Sequence, residues 1–427
     1  AGWMGDKLKA AVQAGSVSMD RVNDGVTRIL TPMFQMGLFD DVWKNNKGNL
    51  QVNATSVEHN TLARSIAAEG MVLLKNANGA LPIDVGSQRR RNGNFTIALI
   101  GTEAAAPQVH GGGSGQVTPY YVSAPLTALK ERLGIPGAAS LPNNCSDGQY
   151  ETNIDYYNQD SQTSAHADSV DACCKLCAAR VGCNYFTWQT DAKTCWMKAD
   201  NKGRQVSANR ISGACHAQPA PGPSEPVCNA AGVCVTYDVG TDTAHAAETA
   251  KTADVAVVLV ATNSHEGADR DSLSFGGNAD DLVAAVAAAN KRTVAVGVTP
   301  GAALTPWRDD VAAALVAFMP GQEYGNALVD VLLGSVNPSG KLPLSFPTKE
   351  NECPAFTQDM WPGSNNAAQA NYSEHMEIGY RCYDSHKIEP AFAFGHGLSY
   401  TSFSYSNLKA SATSVSVDIT NTGKVDG

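Results

Sequence analysis

The segment DVAVVLVATNSHEGADRDSL, residues 254–273, decides how this chain folds. Its first part, residues 254–262, is a short valine-rich run with no polar alternation after Asp254. A run of that length is too short to cross a membrane and reads as a strand buried on both faces. Its second part, from Asn263 to Leu273, is polar, charged and broken by Gly267, and reads as the loop leaving that strand.

The same rhythm extends outward. Ser56 caps a helix that runs through Glu69, and strands are predicted at 71–74 and 96–101, with a helix at 125–133. Downstream the order is strand 233–239, a helix ending at Lys251, strand 254–262, helix 279–290, strands 293–298 and 313–318, and helix 324–333. Short apolar strands alternating with helices predict a mostly parallel sheet covered on both faces, an α/β sandwich. It is assigned to residues 41–140 and 228–355. The loop at 263–273 then emerges at the C-terminal edge of the sheet, where open α/β sheets hold their ligands.

Three regions fall outside this rhythm. Residues 1–40 carry two amphipathic helices, one through Leu8, Ala11 and Val12, the other through Met19, Val22, Val26, Ile29, Leu30 and Met33. Ser18 is a good cap for the second and Asp20 suits its first turn. They hold no core of their own and are expected to pack on a domain upstream of Ala1. Residues 141–227 shift to Cys, Asp, Asn, Gln and Tyr and close with a Pro-rich linker, 219–226; they read as a small insert that relies on disulfides. Residues 356–397 are loop-rich, and 398–427 contain a period-two stretch, 402–419, that reads as the start of a β domain.

The formal charge of −10 and pI near 5.4 argue against a nucleic-acid partner, which needs concentrated basic surface. No stretch approaches a membrane span. Of eleven cysteines, seven lie from Cys145 to Cys215 and none in the first 144 residues. That local density reads as a disulfide framework from an oxidising compartment, and a zinc site is disfavoured because Cys174 and Cys177 form the single Cys-x-x-Cys pair. Sequons at Asn53, Asn94, Asn144 and Asn371 are compatible with a secreted or lumenal glycoprotein. Ala1 does not look like a natural start, so the missing leader peptide carries no information.

Within the 263–273 loop, Gly267 leaves the preceding Glu266 uncrowded, and Asp269 and Arg270 are placed to pair with each other or with the sheet. The residues alone leave two readings open: a surface loop with an ion pair, or a carboxylate presented for chemistry. The glycine run 111–115 lacks both the G-x-G-x-x-G spacing and a following Gly-Lys-[Ser/Thr], so a tight turn or a substrate loop outranks phosphate binding. His265 reads as a loop residue or substrate contact, and Trp307 and Trp361 as packing.

Residues 266–273 resemble the acid/base loop of glycoside hydrolase family 3, Glu-Gly-x-Asp-Arg-x-x-Leu. The likeness continues, in the family's order, through LARSIAAEGMVLLKN (62–76), Leu81-Pro82, GGGSGQVTP (111–119), MPGQEYG (319–325), VNPSGKLPLSFP (336–347) and FGHGLSYT (394–401). The resemblance implies a retaining exo-β-glucosidase releasing terminal β-linked glucose from oligosaccharides, with no cofactor and no metal. A β-xylosidase or a non-catalytic carbohydrate-binding or matrix protein is the alternative. It implies Glu266 as general acid/base and His265, Gly112 and Ser114 as substrate contacts, with Asp269 and Arg270 supporting the loop. Desolvation and a neighbouring nucleophile are expected to raise the Glu266 pKa. The family's aspartate nucleophile sits on an N-terminal (β/α)8 barrel. Residues 1–40 resemble the last helices of that barrel (Gly15 and Val17, then Arg28 to Leu30), so the nucleophile is expected upstream, in the other half of the same protein. The C-terminal stretch resembles the start of a fibronectin-III-like domain.

The insert resembles a PAN/Apple module through CCKLC (173–177), GCNYFTW (182–188) and CWMK (195–198). By that likeness Cys177 pairs with Cys183, Cys174 with Cys195 and Cys145 with Cys215, leaving Cys173 over. Cys228–Cys234 and Cys353–Cys382 are the expected local pairs. The module is expected to bind carbohydrate or protein and to overhang the site; Tyr185, Trp188 and Trp196 are either its small core or a sugar platform.

Overall fold

The alternate residues of each predicted strand go to opposite sides of one sheet. In the computed structural model, Ile97, Leu99, Val257, Leu259, Val294 and Val296 join one apolar cluster, while Ala98, Ile100, Ala256, Val258, Val260 and Ala295 join a second. Burial on both faces is why these strands read as unbroken apolar runs. The structure describes residues 4–40, 55–86, 93–117, 119, 121–135, 150–156, 163–178, 185–198, 204–214, 225–267, 269–357, 359–360 and 370–427. These fall into two units, 1–56 and 57–427.

In the first unit, α1 (Asp6–Gln13) and α2 (Met19–Gln35) form as the periodicity predicts. The Ser18 hydroxyl accepts the Arg21 N–H at 3.2 Å, capping α2. Neither helix buries a residue within its unit, and Met19, Val26, Ile29 and Phe34 of the apolar stripe of α2 are exposed.

The second unit is built on a sheet ordered β1-β12-β11-β10-β2-β9-β8. Its strands are β1 (Val72–Asn76), β2 (Phe95–Ile100), β8 (Val227–Cys228), β9 (Val233–Asp238), β10 (Val255–Ala261), β11 (Thr293–Val298) and β12 (Ala313–Val316). The five strands from β12 to β9 are parallel, and the edge strands β1 and β8 run antiparallel to their neighbours. Helices α3 (Val57–Glu69), α4 (Pro125–Arg132) and α8 (Tyr324–Leu332) contribute to one cluster. Helices α6 (Thr243–Thr252) and α7 (Ala279–Ala289) contribute to the other. Local chemistry sets the turns: Pro125 opens α4, and the Asp242 carboxylate caps α6 by accepting from the N–H groups of Ala244 and His245.

Counted among the parallel strands alone, in chain order, the spatial order is 2-1-3-4-5. The winding therefore reverses between β2 and β10, which puts the topological switch point, and the crevice that goes with it, between the C-terminal ends of those two strands.

The insert is an antiparallel sheet ordered β3-β7-β5-β6-β4, from β3 (Glu151–Tyr156), β4 (Thr163–His166), β5 (Tyr185–Gln189), β6 (Thr194–Lys198) and β7 (Arg204–Ala214). Helix α5 (Val170–Ala178) packs on it around Cys173, Cys174, Cys177, Phe186, Cys195 and Met197. Trp188 packs against this core and donates its Nε1–H to the Ala167 carbonyl at 2.8 Å, so it is core; Tyr185 and Trp196 are half-buried. The pairing Cys174–Cys195 is overturned: Cys195 is bonded to Cys173, which is not left over. The β5–β6 hairpin presents Cys195 to the first cysteine of the helix. Cys174 and Cys177 are also disulfide-bonded; Cys183, the expected partner of Cys177, and the expected pair Cys145 and Cys215 lie outside the described residues. Cys228–Cys234 and Cys353–Cys382 pair as expected.

The stretch after Phe346 crosses the β1 edge of the sheet. Phe346 and Phe392 form a bridge, the Leu398 N–H donates to the Leu73 carbonyl at 2.8 Å, and His396 Nε2 donates to the Leu74 carbonyl at 2.8 Å. It includes helix α9 (Tyr380–His386), which periodicity does not reveal. Beyond it, β13 (Phe403–Ala410) and β14 (Val415–Asn421) pair as an antiparallel ribbon whose residues are all exposed.

Candidate active site

Two loops leave the sheet at the switch point, one after β2 and one after β10, and they lie against each other. The Gly112 N–H donates to the Ser264 carbonyl at 2.9 Å. A Cβ on Gly112 would come within 2.7 Å of the His265 Cβ. At Gly113, which has φ +72°, a Cβ would overlap that of Glu266 and sit 2.9 Å from its backbone nitrogen. The glycine run is therefore a close-approach surface for the Glu266 loop.

Glu266 stands exposed at the tip of this pairing. One carboxylate oxygen accepts both the Ser114 N–H, at 2.9 Å, and the Ser114 hydroxyl. The hydroxyl, and after it the N–H, hold the Glu266 carboxyl below the usual carboxylate range. The expected upward shift is tied to a closed site and a neighbouring nucleophile; in this chain desolvation opposes the two bonds and, at an exposed carboxylate, is the smallest effect. His265 is half-buried beside it, its Nδ1 2.9 Å from the Glu266 carbonyl oxygen.

Of the two arrangements expected for Asp269 and Arg270, pairing with each other or with the sheet, the far limb does not use the first. Asp269 is exposed and makes no ion pair among the described residues. Arg270 instead points back into the fold, donating Nη2–H to the Ala302 carbonyl at 2.8 Å, with Nη1 buried and unpartnered among the described residues. Burial pulls its guanidinium below the usual arginine range, opposed by the charge of Glu350. Glu350, which no sequence signal marks, accepts the Leu273 N–H at 2.6 Å and the Ser272 hydroxyl at 2.7 Å. Phe275 then enters the core beside Trp307, whose Nε1–H donates to Asp280 at 2.9 Å; Trp307 is packing, as expected. Trp361 lies outside the described residues.

The structure thus brings Gly112, Ser114, His265 and Glu266 together at one edge. The MPGQEYG corner supports the glycine loop from below, since the Gly321 N–H donates to the Val109 carbonyl at 2.9 Å and buried Glu323 accepts from Tyr121 and Asn326. From the insert, Ser164 of β4 accepts the Gln116 side-chain N–H at 3.5 Å. Elsewhere Cys353, Cys382 and His386 converge, but the two sulfurs are joined to each other and are not a thiolate ligand set. Of the sequons, Asn94 and Asn371 are exposed, and Asn53 and Asn144 lie outside the described residues. No helix among the described residues is long and apolar enough to cross a membrane.

Comparison with known proteins adds four observations. Residues 71–400 match the glycosyl hydrolase family 3 C-terminal domain. A beta-glucosidase of Rhizobium radiobacter is 29% identical over 491 residues, covering 98% of this chain and 58% of that protein. The thermostable beta-glucosidase B of Acetivibrio thermocellus is 31% identical over 432 residues, covering 99% and 43%. Among solved structures, a beta-glucosidase from Streptomyces venezuelae in complex with D-glucose superimposes with a TM-score of 0.64 at 28% identity, covering 99% of this chain and 56% of that one. The chain spans about half the length of the relatives it matches.

Proposed function

The chain belongs to the family defined by the glycosyl hydrolase family 3 C-terminal domain, and on that premise we propose that it is the acid/base half of a retaining exo-β-glucosidase. The observation that carries the reading is Glu266, an exposed carboxylate held at the switch point by a loop that only glycines let come so close. In this reading Glu266 protonates the glycosidic oxygen and then deprotonates the water that releases glucose. A barrel upstream, of which residues 1–40 are the end, supplies an aspartate nucleophile. The two carboxyl groups would stand about 5–5.5 Å apart.

Ser114 favours the charged form of Glu266, so the proton needed for the first step has to be retained by what the barrel adds. A second carboxylate and the loss of water both favour the protonated form, and the Ser114 hydroxyl can turn so that its oxygen accepts a hydrogen bond from the O–H that Glu266 then carries. His265 and Gly112 line the sugar side; Arg270 fixes the loop from behind, with Asp269 free to meet the other half.

Residues 141–227 are read as a PAN/Apple-like module. The Gln116–Ser164 contact supports its placement next to the glycine loop, where it would limit the length of the leaving group. Residues 356–397 are read as a loop-rich extension, and 398–427 as the start of a fibronectin-III-like domain. The disulfides and the exposed sequons support a secreted glycoprotein. The rival reading, a non-catalytic carbohydrate-binding protein, draws on Ser114 stabilising the carboxylate form.

The test is the full-length protein, with its natural upstream sequence, assayed on cellobiose and laminaribiose with the first-formed anomer followed by NMR. Release of β-glucose that Glu266→Gln abolishes supports the proposal. Absence of hydrolysis, or a Glu266→Gln enzyme as active as the parent, sinks it in favour of the binding protein.

A further inference from the structure

We propose that Glu350 is a positioning residue for the Glu266 loop, and that the Cys353–Cys382 disulfide is what holds Glu350 in place. The inference rests on the catalytic reading of Glu266 and adds a residue to it. The loop leaves β10 at Ala261 and returns to the core at Phe275. Its near limb is tied by the Thr262 N–H to the Val298 carbonyl and by the Gly112–Ser264 bond, both at 2.9 Å. Its far limb has the Arg270–Ala302 bond, the Leu304 N–H on the Leu273 carbonyl at 2.9 Å, and the Glu350 carboxylate.

Among the ties of the far limb, Glu350 is the one that comes from a distant stretch of chain, 77 and 78 residues from its two partners. Its Oε1 accepts from both Ser272 and Leu273, and its charge lies in the field of Arg270. It sits two residues from Glu352, which accepts from the Thr348 N–H at 2.9 Å and from the Tyr383 hydroxyl at 3.1 Å. Tyr383 lies on α9, and the adjacent Cys382 is bonded to Cys353. The strap after Phe346, which bears Glu350, is thus covalently fastened to α9 through Cys353, just beyond the residue that grips the loop. Without Glu350 the far limb keeps the Arg270 and Leu304 bonds but loses its hold on Ser272 and on the Leu273 N–H, which gives the stretch between them and Glu266 room to shift. Misplacing a reacting group by about 1 Å costs on the order of a hundredfold in rate.

Because Glu350 is exposed, Glu350→Ala removes the anchor without opening a cavity. In the full-length enzyme the expected result is a fall of about tenfold to a hundredfold in kcat with little change in KM. Faster amide exchange across residues 269–274 should accompany it, and Glu350→Gln, whose amide oxygen accepts the same two hydrogen bonds, should restore most of both. An unchanged exchange rate in Glu350→Ala overturns the proposal, as does a Gln variant no better than Ala. If the parent enzyme hydrolyses no β-glucoside, the catalytic reading fails. Exchange in Glu350→Ala then still decides the anchor by itself, loss of protection supporting it and unchanged protection removing it.

Discussion

Ser114 donates twice to a single oxygen of Glu266, once from its backbone N–H and once from its hydroxyl. Both bonds favour the ionised carboxylate, so the loop after β2 acts on the protonation of a residue in the loop after β10. The hydroxyl is the larger cause, and it alone can be removed by substitution. In Ser114→Ala the folded-state pKa of Glu266 should therefore rise. An acid that must be protonated stays protonated to higher pH when its pKa rises, so the alkaline limb of kcat/KM should move to higher pH. A pH–rate profile of the full-length enzyme measures this directly; a limb that stays in place or moves to lower pH contradicts the assignment.

Gly113 tests the packing of the same two loops. An alanine there meets two penalties: a left-handed backbone conformation, which costs roughly 1–2 kcal/mol, and overlap with the Glu266 Cβ. Gly113→Ala should lower stability by about that amount and cut kcat far more, on the order of a hundredfold, by displacing Glu266. Gly115, two residues on, has open space around its Cα and no positive φ. Gly115→Ala should leave melting temperature and rate nearly unchanged, so the pair separates position from composition.

The sheet and its double cover were legible, though not its strand order, because burial on two faces leaves an unmistakable trace: neither Val257 nor Val258 is polar, although they point opposite ways. The place of Glu266 after such a strand drew attention to its loop, but the residues alone left a plain surface loop open, and its role came from the resemblance. What could not be read is tertiary in origin. Nothing near Glu350 in sequence refers to Ser272, 78 residues earlier. Arg270 beside Asp269 looks like an ion pair on paper, yet the chain aims it at Ala302. The choice between Cys173 and Cys174 for Cys195 depends on which helical position faces β6, and adjacent cysteines at a helix start give no period to decide it. The lowered Glu266 pKa likewise depends on Ser114, brought there by a turn that glycine spacing announces without saying what it touches.

Two-faced burial has its own test. Val257 and Val258 are both fully buried, in clusters on opposite sides of the sheet. Each Val→Ala change removes apolar volume worth about 1.6 kcal/mol by transfer, plus a cavity contribution. Both variants should lose about 2 kcal/mol in urea unfolding of the full-length protein. If one face were wet, its variant would be nearly neutral, and the doubly covered sheet would be wrong.

The Cys353–Cys382 bond carries the last prediction. It spans 29 residues, and closing a loop of that size stabilises by roughly 3–4 kcal/mol in the chain-entropy view. Replacing both cysteines by serine should cost up to about that much, since the strap keeps Glu352 on Tyr383 and the Phe346–Phe392 bridge. The loss should be uneven. Residues 348–357 and 380–386 would exchange amide hydrogens faster, while β10 and β11, sealed between two apolar layers, would not. Mild reduction of the parent protein should reproduce the pattern if the thiols are reached without global unfolding. Exchange rising uniformly across the sheet instead would mean that the disulfide holds the whole domain, and that the strap is no separate element.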